Sequence, residues 1–406
     1  MDVLPILSTL RRHKTAASLI VLQIALTCAI VCNALFLIVQ RLERIGEPNG
    51  LAGSELAVLM LSSLSEGRAA DVTTRADLLA LRALPGVRAV SISNQLPYGD
   101  SFRVTGLRLR PEDEAEGTSV ADYNVGENWL QATGVRLVAG RDFLADEYQD
   151  RSAFEQLEQQ SLPAVIINQA LADKLFPGQS ALGQAVYAFG AEPSRVVGVV
   201  ERLTSPRPGG DDAINKYSVV MPLRPDFNRG AYLIRTADPA QRGPVLKAAV
   251  QALEQIDPKR LVRKKVTLED LRETYYRQDR SMAWLLAGVC LALLVVTAFG
   301  IVGLASFWVQ QRTRMIGTRR ALGASRAQIL RYFQTENFLL TGIGIVLGMI
   351  GAYGTSLLLM NNYELPGLPF SYLPVGAVTL WMLGQLAVLA PARRAAALAP
   401  VAALRA

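Results

Sequence analysis

Histidine and cysteine are almost missing from this chain. Of 406 residues, one is His and three are Cys. His13 sits beside Arg11, Arg12 and Lys14, while Cys28, Cys32 and Cys290 fall in uncharged apolar runs. Thiols in apolar spans and one histidine in a basic flank cannot assemble a His/Cys metal centre. Residues 41–281 hold no cysteine, so that segment is not a disulfide scaffold and must rest on an apolar core. The chain has no G-x-x-x-x-G-K-[ST] loop to cradle a nucleotide's phosphates and no G-x-S-x-G nucleophile elbow. Charge is scarce too: 19% of residues are charged against 50% hydrophobic, which is more apolar than an ordinary soluble enzyme. The chain reads as a non-enzyme with no cofactor or metal of its own.

The apolar excess is concentrated. A membrane span needs roughly 20 mostly apolar residues, and four runs qualify: 16–40, 282–309, 337–360 and 373–390, the last shorter and expected to stop at Pro391. The first is too long for a signal-peptide core, and no A-x-A site follows it before Arg41, so it reads as a retained span. Basic residues fix the orientation. Arg11, Arg12 and Lys14 precede the first span, Arg312, Arg314, Arg319, Arg320, Arg326 and Arg331 lie in the link 310–336, and Arg393, Arg394 and Arg405 lie in the tail 391–406. The link 361–372 carries Glu364 and no Lys or Arg. The flank 1–15, the link 310–336 and the tail are thus expected in the cytoplasm, with 41–281 and 361–372 outside. The net charge of +7 follows from that asymmetry and gives no support for nucleic-acid binding. The arginines of the link 310–336 are also expected to touch anionic membrane lipid.

The external segment mixes two periods. Residues 87–93, 102–109, 164–168, 195–200 and 231–236 read as strands, and 75–84, 169–176 and 245–256 as helices. Thr74 and Asn168 are candidate N-caps, and Pro177-Gly178 a helix stop. No repeating βαβ rhythm appears, so the class is α+β, inserted between the first and second membrane helices. The acidic stretch 111–117 and the Pro/Gly-rich stretch 204–212 read as loose surface loops. Residues 41–45 extend the first span, and 267–280, with Thr267 and Asp270 spaced as a cap pair, form a charged helix running into the second. Both read as stiff stalks. Within the spans Gln23, Thr27 and Asn33 are polar, and Gly342, Gly344, Gly348, Gly351 and Gly354 punctuate the third. With no acid or base in a span core, these residues are expected to join helices rather than form an ion path.

The link between the second and third spans is the most distinctive stretch. RTRMIGTRRALGAS, residues 312–325, is rich in arginine and has no acid, and Ser325 with Gln328 has the spacing of a capping box that starts a new helix. RTRMIGTRRALGASRAQIL resembles the signature of FtsX-like permeases. AVIINQALADKLFPGQSALGQAV followed by RVVGVV, and LPGVRAVSISNQLP before them, resemble the MacB-type periplasmic core domain. PARRA at 391 and PVAALR at 400 resemble the usual tail of these proteins.

The resemblance implies a type VII ABC transporter permease of the cell inner membrane. Such permeases pair with a second permease, as homodimer or heterodimer, and with a cytoplasmic ATPase on another chain that binds ATP and Mg. ATP-driven closure is transmitted to the periplasmic domain (mechanotransmission) rather than through a substrate path between the spans. Export or efflux with a periplasmic adaptor is the implied function. The alternative is an FtsX-like regulator of an extracytoplasmic partner such as a cell-wall hydrolase. Carried over residue by residue, the ATPase-coupling surface is Arg312, Arg314, Ile316, Gly317, Arg319, Arg320, Ala321, Leu322, Gly323 and Ala324. Ile316 and Leu322 fill the groove, the arginines meet acids at its rim, and the glycines permit approach or a turn. The chain departs at Met315, where the family usually has an acid. That departure puts one docking contact in doubt, or marks the chain as half of a heterodimer.

Overall fold

The computed structural model describes residues 14–63, 67–111, 117–157, 160–209, 213–363 and 367–397. Arg11, Arg12 and His13, most of the acidic loop 111–117, Glu364, and the tail after 397 lie outside them. The chain divides into two compact units. One holds residues up to Ile45 and those from Gln278 on, and the other is Gly46–Arg277. In chain order the longer helices are α1 (Lys14–Gly46), α2 (Gly67–Arg82), α3 (Gln169–Leu175), α4 (Arg242–Ile256), α5 (Leu268–Tyr275), α6 (Arg277–Gln311), α7 (Thr313–Ala321), α8 (Arg326–Tyr363) and α9 (Tyr372–Ala397).

In the first unit α1, α6, α8 and α9 are each long and apolar enough to cross a membrane. They run beyond the apolar runs by several residues at most ends, because the polar flanks continue the same backbone hydrogen bonding. Pro391 does not stop α9, which continues to Ala397. A proline inside a helix forfeits one hydrogen bond and crowds the preceding turn. Packing of Ala392, Ala395 and Ala396 against Ile316, Ile329 and Phe333 holds the last turns in place.

The polar residues of α1 serve helix association. Gln23 Nε2 donates to the Val296 carbonyl (3.2 Å), Thr27 and Thr297 hydroxyls share a hydrogen at 2.8 Å, and Asn33 Nδ2 donates to the Ala352 carbonyl (3.2 Å). Gly344 and Gly348 let α8 approach α1: an added Cβ would lie 2.8 Å from Ile24 and 2.7 Å from the Ala25 carbonyl oxygen. Gly354 has no such neighbour, so close packing accounts for part of the glycine row only. Arg41 and Asp279 form an ion pair between α1 and α6.

The second unit is α+β. Its strands are β1 (Leu56–Ser62), β2 (Val87–Ser93), β3 (Val104–Leu107), β4 (Thr118–Asn124), β5 (Leu137–Gly140), β6 (Gln149–Asp150), β7 (Ala164–Asn168), β8 (Ala185–Val186), β9 (Ser194–Val200), β10 (Ser218–Met221), β11 (Leu223–Arg224), β12 (Ala231–Thr236) and β13 (Leu261–Thr267). A four-stranded antiparallel sheet has the order β13-β1-β12-β2. Helices α2 and α4 cover it through Leu78, Leu81, Val245, Ala249 and Leu253. In that core Asp77 accepts from Tyr232 Oη (2.5 Å) and Arg260, and Arg260 Nη2 also donates to the Leu253 carbonyl (2.7 Å). A mixed seven-stranded sheet, β3-β4-β10-β7-β9-β5 with β8 on β9, carries the second core.

Several local expectations hold. Asn168 Oδ1 caps α3 through Leu171 N (3.1 Å), and Thr267 and Asp270 form a reciprocal capping box on α5. Three do not. Thr74 is no cap: α2 begins at Gly67, and the Thr74 hydroxyl donates to the Ala70 carbonyl a turn back. The stalk 267–280 is not one helix, because Tyr276 (φ −88°, ψ 7°) leaves helical geometry with its buried ring against Tyr98 and Tyr275. The stretch 204–212 is not a loose surface loop over its described part, where Ser205, Pro206 and Pro208 are buried.

Candidate functional site

The helix α6 ends because the chain must turn, and Arg312 (φ −105°, ψ 11°) makes the turn. Its side chain is largely withdrawn from solvent. Arg312 is 8% exposed, and Nη1 meets both Glu336 oxygens at 2.8 and 3.0 Å. The same guanidinium lies over the Trp308 ring, 5.5 Å from its centroid. A charge withdrawn from water needs such a partner, and losing one partner costs far more than an exposed pair is worth. The pair therefore fixes the start of α7 against α8.

Ile316 lies one turn on and is 2% exposed, packed in a small core with Ile329, Phe333, Ala392, Ala395 and Ala396. Gly317 beside it is also buried. The resemblance assigns Ile316 to a partner's groove; the structure places its side chain in the small core that holds α7 on α8 and α9. Arg320 is half-buried and donates to the Ala396 carbonyl at 2.9 Å, and the Arg319 guanidinium lies 5.1 Å from the centroid of Tyr332.

The end of α7 is a double C-terminal turn. Gly323 N donates to the Arg320 carbonyl (3.2 Å) and Ala324 N to the Arg319 carbonyl (3.0 Å). This is the Schellman pattern, which needs a left-handed residue, and Gly323 has φ +95°. Ser325 and Gln328 then cap α8 reciprocally, Ser325 N on Gln328 Oε1 at 2.9 Å and Gln328 N on Ser325 Oγ at 3.2 Å. Two locked ends leave the connection Leu322–Ala324 little freedom.

Leu322 crowns this turn and is 83% exposed. Arg314, Arg319, Ala321 and Gly323 are exposed with it, and Ala324 is half-buried. The ten candidate residues therefore split by face. Arg312, Ile316 and Gly317 are internal, Arg320 and Ala324 are intermediate, and the rest form an apolar tip beside exposed guanidinium groups. Sequence reasoning missed Glu336. Its one signal is an acid standing alone on the apolar side of the arginine-rich link.

Two family models match the chain: the FtsX-like permease C-terminal over residues 287–400, and the MacB-like periplasmic core domain over residues 22–256. The ABC transporter permease YvrN of Bacillus subtilis, itself uncharacterized, is 30% identical over 294 residues, 70% of this chain and 69% of that protein. The macrolide export ATP-binding/permease proteins MacB of Rhodospirillum rubrum and Agrobacterium fabrum are 28% and 30% identical, over 86% and 87% of this chain. The chain spans 56% and 54% of those two proteins, about half their length. Among solved structures, the extracellular domain of YknZ from Gram-positive bacteria is 19% identical. It covers 52% of this chain and 100% of that one at a TM-score of 0.33. The periplasmic region of MacB from Actinobacillus actinomycetemcomitans is 14% identical, covering 57% and 97% at 0.34. The assignment rests on the two family models and on YvrN: the chain belongs to the FtsX-like, MacB-type family of ABC transporter permeases.

Proposed function

We propose that this permease takes up the movement of a separate cytoplasmic ABC ATPase at α7 and passes it to its extracytoplasmic domain, for export. The observation that carries the reading is the contrast between Leu322 and Ile316. One is 83% exposed at the tip of the elbow, and the other is 2% exposed beneath it. A docking helix must offer an apolar anchor and must itself be rigid, or the partner's motion is lost in local bending. The Arg312–Glu336 pair, the Ile316 core and the double cap supply the rigidity. Leu322 supplies the anchor, and Arg314 and Arg319 supply positive charge for acids at a groove's rim. The positive-inside bias supports a cytoplasmic elbow and cytoplasmic termini. Gln23, Thr27 and Asn33 all bond neighbouring helices, which favours mechanical coupling over a substrate path between the spans. Homodimer and heterodimer both remain compatible with Met315, which is 37% exposed on the docking face.

The test is co-purification of the tagged chain in mild detergent, followed by mass spectrometry and an ATPase assay. The expected result is an ABC ATPase with vanadate-sensitive turnover, lost on mutating Arg319 and Leu322. A periplasmic adaptor in the same preparation supports export, and a cell-wall hydrolase in its place supports a regulatory role. An elbow that captures no ATPase in any of several detergents refutes the reading.

A further inference from the structure

Residues 203–208 run LTSPRP, and Pro206 and Pro208 have no N–H with which to join a sheet. Four carbonyls of this segment are nonetheless spoken for, each by a different part of the 46–277 unit. Ser218 Oγ on β10 donates to the Leu203 carbonyl (3.1 Å), and Tyr123 Oη on β4 to that of Thr204 (2.5 Å). Tyr98 N donates to the Pro206 carbonyl (3.0 Å), and Tyr275 Oη on α5 to that of Pro208 (2.9 Å). In the other direction Thr204 N donates to the Asn49 carbonyl (3.3 Å). Five point contacts thus tie one six-residue strap to the segment just after α1 in sequence, to the loop residue Tyr98, to α5 just before α6, and to the adjacent strands β4 and β10 of the larger sheet.

The aromatic residues around the strap close the arrangement. Tyr98 is a bulky residue held at φ +66°, a conformation that only a strongly determined environment sustains. Its buried ring lies 5.6 Å from Tyr275, 5.7 Å from Tyr276 and 6.0 Å from the Arg272 guanidinium. Arg272 Nη2 in turn donates to the Glu47 carbonyl at 2.9 Å. Glu47 directly follows α1 and Tyr276 directly precedes α6. Both chain entries are therefore bonded to each other through Arg272, and both to the strap, within the same unit.

We infer that the strap 203–208, with Arg272 and Tyr98, is a transmission hub that makes the two chain entries act as one input on strands β4 and β10. The inference rests on the coupling function proposed above. Arg272, Tyr98 and Tyr275 are positioning residues in it: they touch no substrate and act by fixing the strap. Tyr275→Phe and Tyr123→Phe each delete one hydroxyl bond to the strap while keeping ring and volume. Arg272→Lys keeps the charge and loses the planar guanidinium that spans Tyr98 and Glu47.

The experiment uses the full chain purified with its bound ATPase. Hydrogen exchange at β4 and β10 is compared between the nucleotide-free and ATP–vanadate states. The wild type should show a nucleotide-dependent difference there. The variants should lose that coupling by roughly 2- to 30-fold, the span mutations along packed networks give. ATP turnover and exchange at α7 should stay unchanged, which a merely destabilised domain with a lowered unfolding temperature would not reproduce. Full-size differences in all three variants overturn the hub while leaving the coupling function standing. A wild type with no nucleotide-dependent difference anywhere in 46–277 overturns the coupling function, and the hub with it.

Discussion

Leu322→Asp separates docking from folding, and its size can be worked from exposure. Burying a whole leucine side chain is worth about 1.5–3 kcal/mol, and Leu322, at 83% exposed, has most of that still to gain on binding. Losing it costs about 1–2.5 kcal/mol, and a carboxylate forced into an apolar groove adds a desolvation penalty of a few kcal/mol. At about 1.4 kcal/mol per tenfold, ATPase affinity should fall at least 10-fold, and more than 100-fold if the groove closes fully over the side chain. In the free permease the same change touches little, so its unfolding free energy should move by no more than about 0.5 kcal/mol. The contrasting variant is Ile316→Ala. At 2% exposure it removes core volume and should cost about 2–5 kcal/mol of stability, losing the ATPase only as the elbow loosens. The assay is titration of ATPase onto the nanodisc-embedded chain, paired with thermal unfolding of the same samples. Wild-type affinity in Leu322→Asp refutes the assignment of the anchor. A Leu322→Asp chain that unfolds as readily as Ile316→Ala refutes the claim that the two faces of α7 have different duties.

Other expectations follow from named contacts. Glu336→Gln leaves the Arg312 charge buried beside a neutral amide and should destabilise the helical unit by about 3–5 kcal/mol. Replacing both members with leucine should restore much of that in thermal unfolding. Gly323→Ala meets no neighbour but must adopt φ +95°, a cost of about 1–2 kcal/mol. It should appear as faster hydrogen exchange at the α7–α8 turn. Asp122 is buried at the edge of the larger core, and burial lifts its pKa from 3.8 to about 6 against the lowering pull of Arg151 and Arg103. Between those values the folded chain holds a proton that the unfolded chain releases, so stability should fall as pH rises through that window and stay lower above it. The difference is at most about 3 kcal/mol. Asp122→Asn should flatten this slope and raise the unfolding free energy at pH 7; a slope unchanged by the substitution assigns it to another group.

What the sequence made legible is what depends on near neighbours. The caps at Asn168, Thr267 and Ser325 were readable because donor and acceptor lie three residues apart and the chemistry allows few alternatives. The four spans were readable because a bilayer imposes length and apolarity together, and β2, β7 and β12 because their alternation or apolar runs are unbroken. Strand β4 escaped notice for the opposite reason: its run TSVADYN mixes buried polar residues with apolar ones and takes its identity from the sheet around it. The same division runs through the functional site. The turn at Gly323 could be placed from local pattern, whereas the burial of Ile316 depends on residues 76 to 80 positions away on α9, and Arg312 pairs with an acid 24 residues on. The strap 203–208 is the sharpest case. Two prolines and a serine between polar residues have the composition of a free loop, yet Tyr98, Tyr123, Ser218 and Tyr275 claim its carbonyls from four separate parts of the chain. Composition reports how well a segment could live in water; it does not report whether other elements have acquired donors that make its burial cheap. A proline-rich stretch that cannot pair with itself is, for that reason, free to be gripped at single points, and a part that must link several elements without merging into any of their sheets has use for that property.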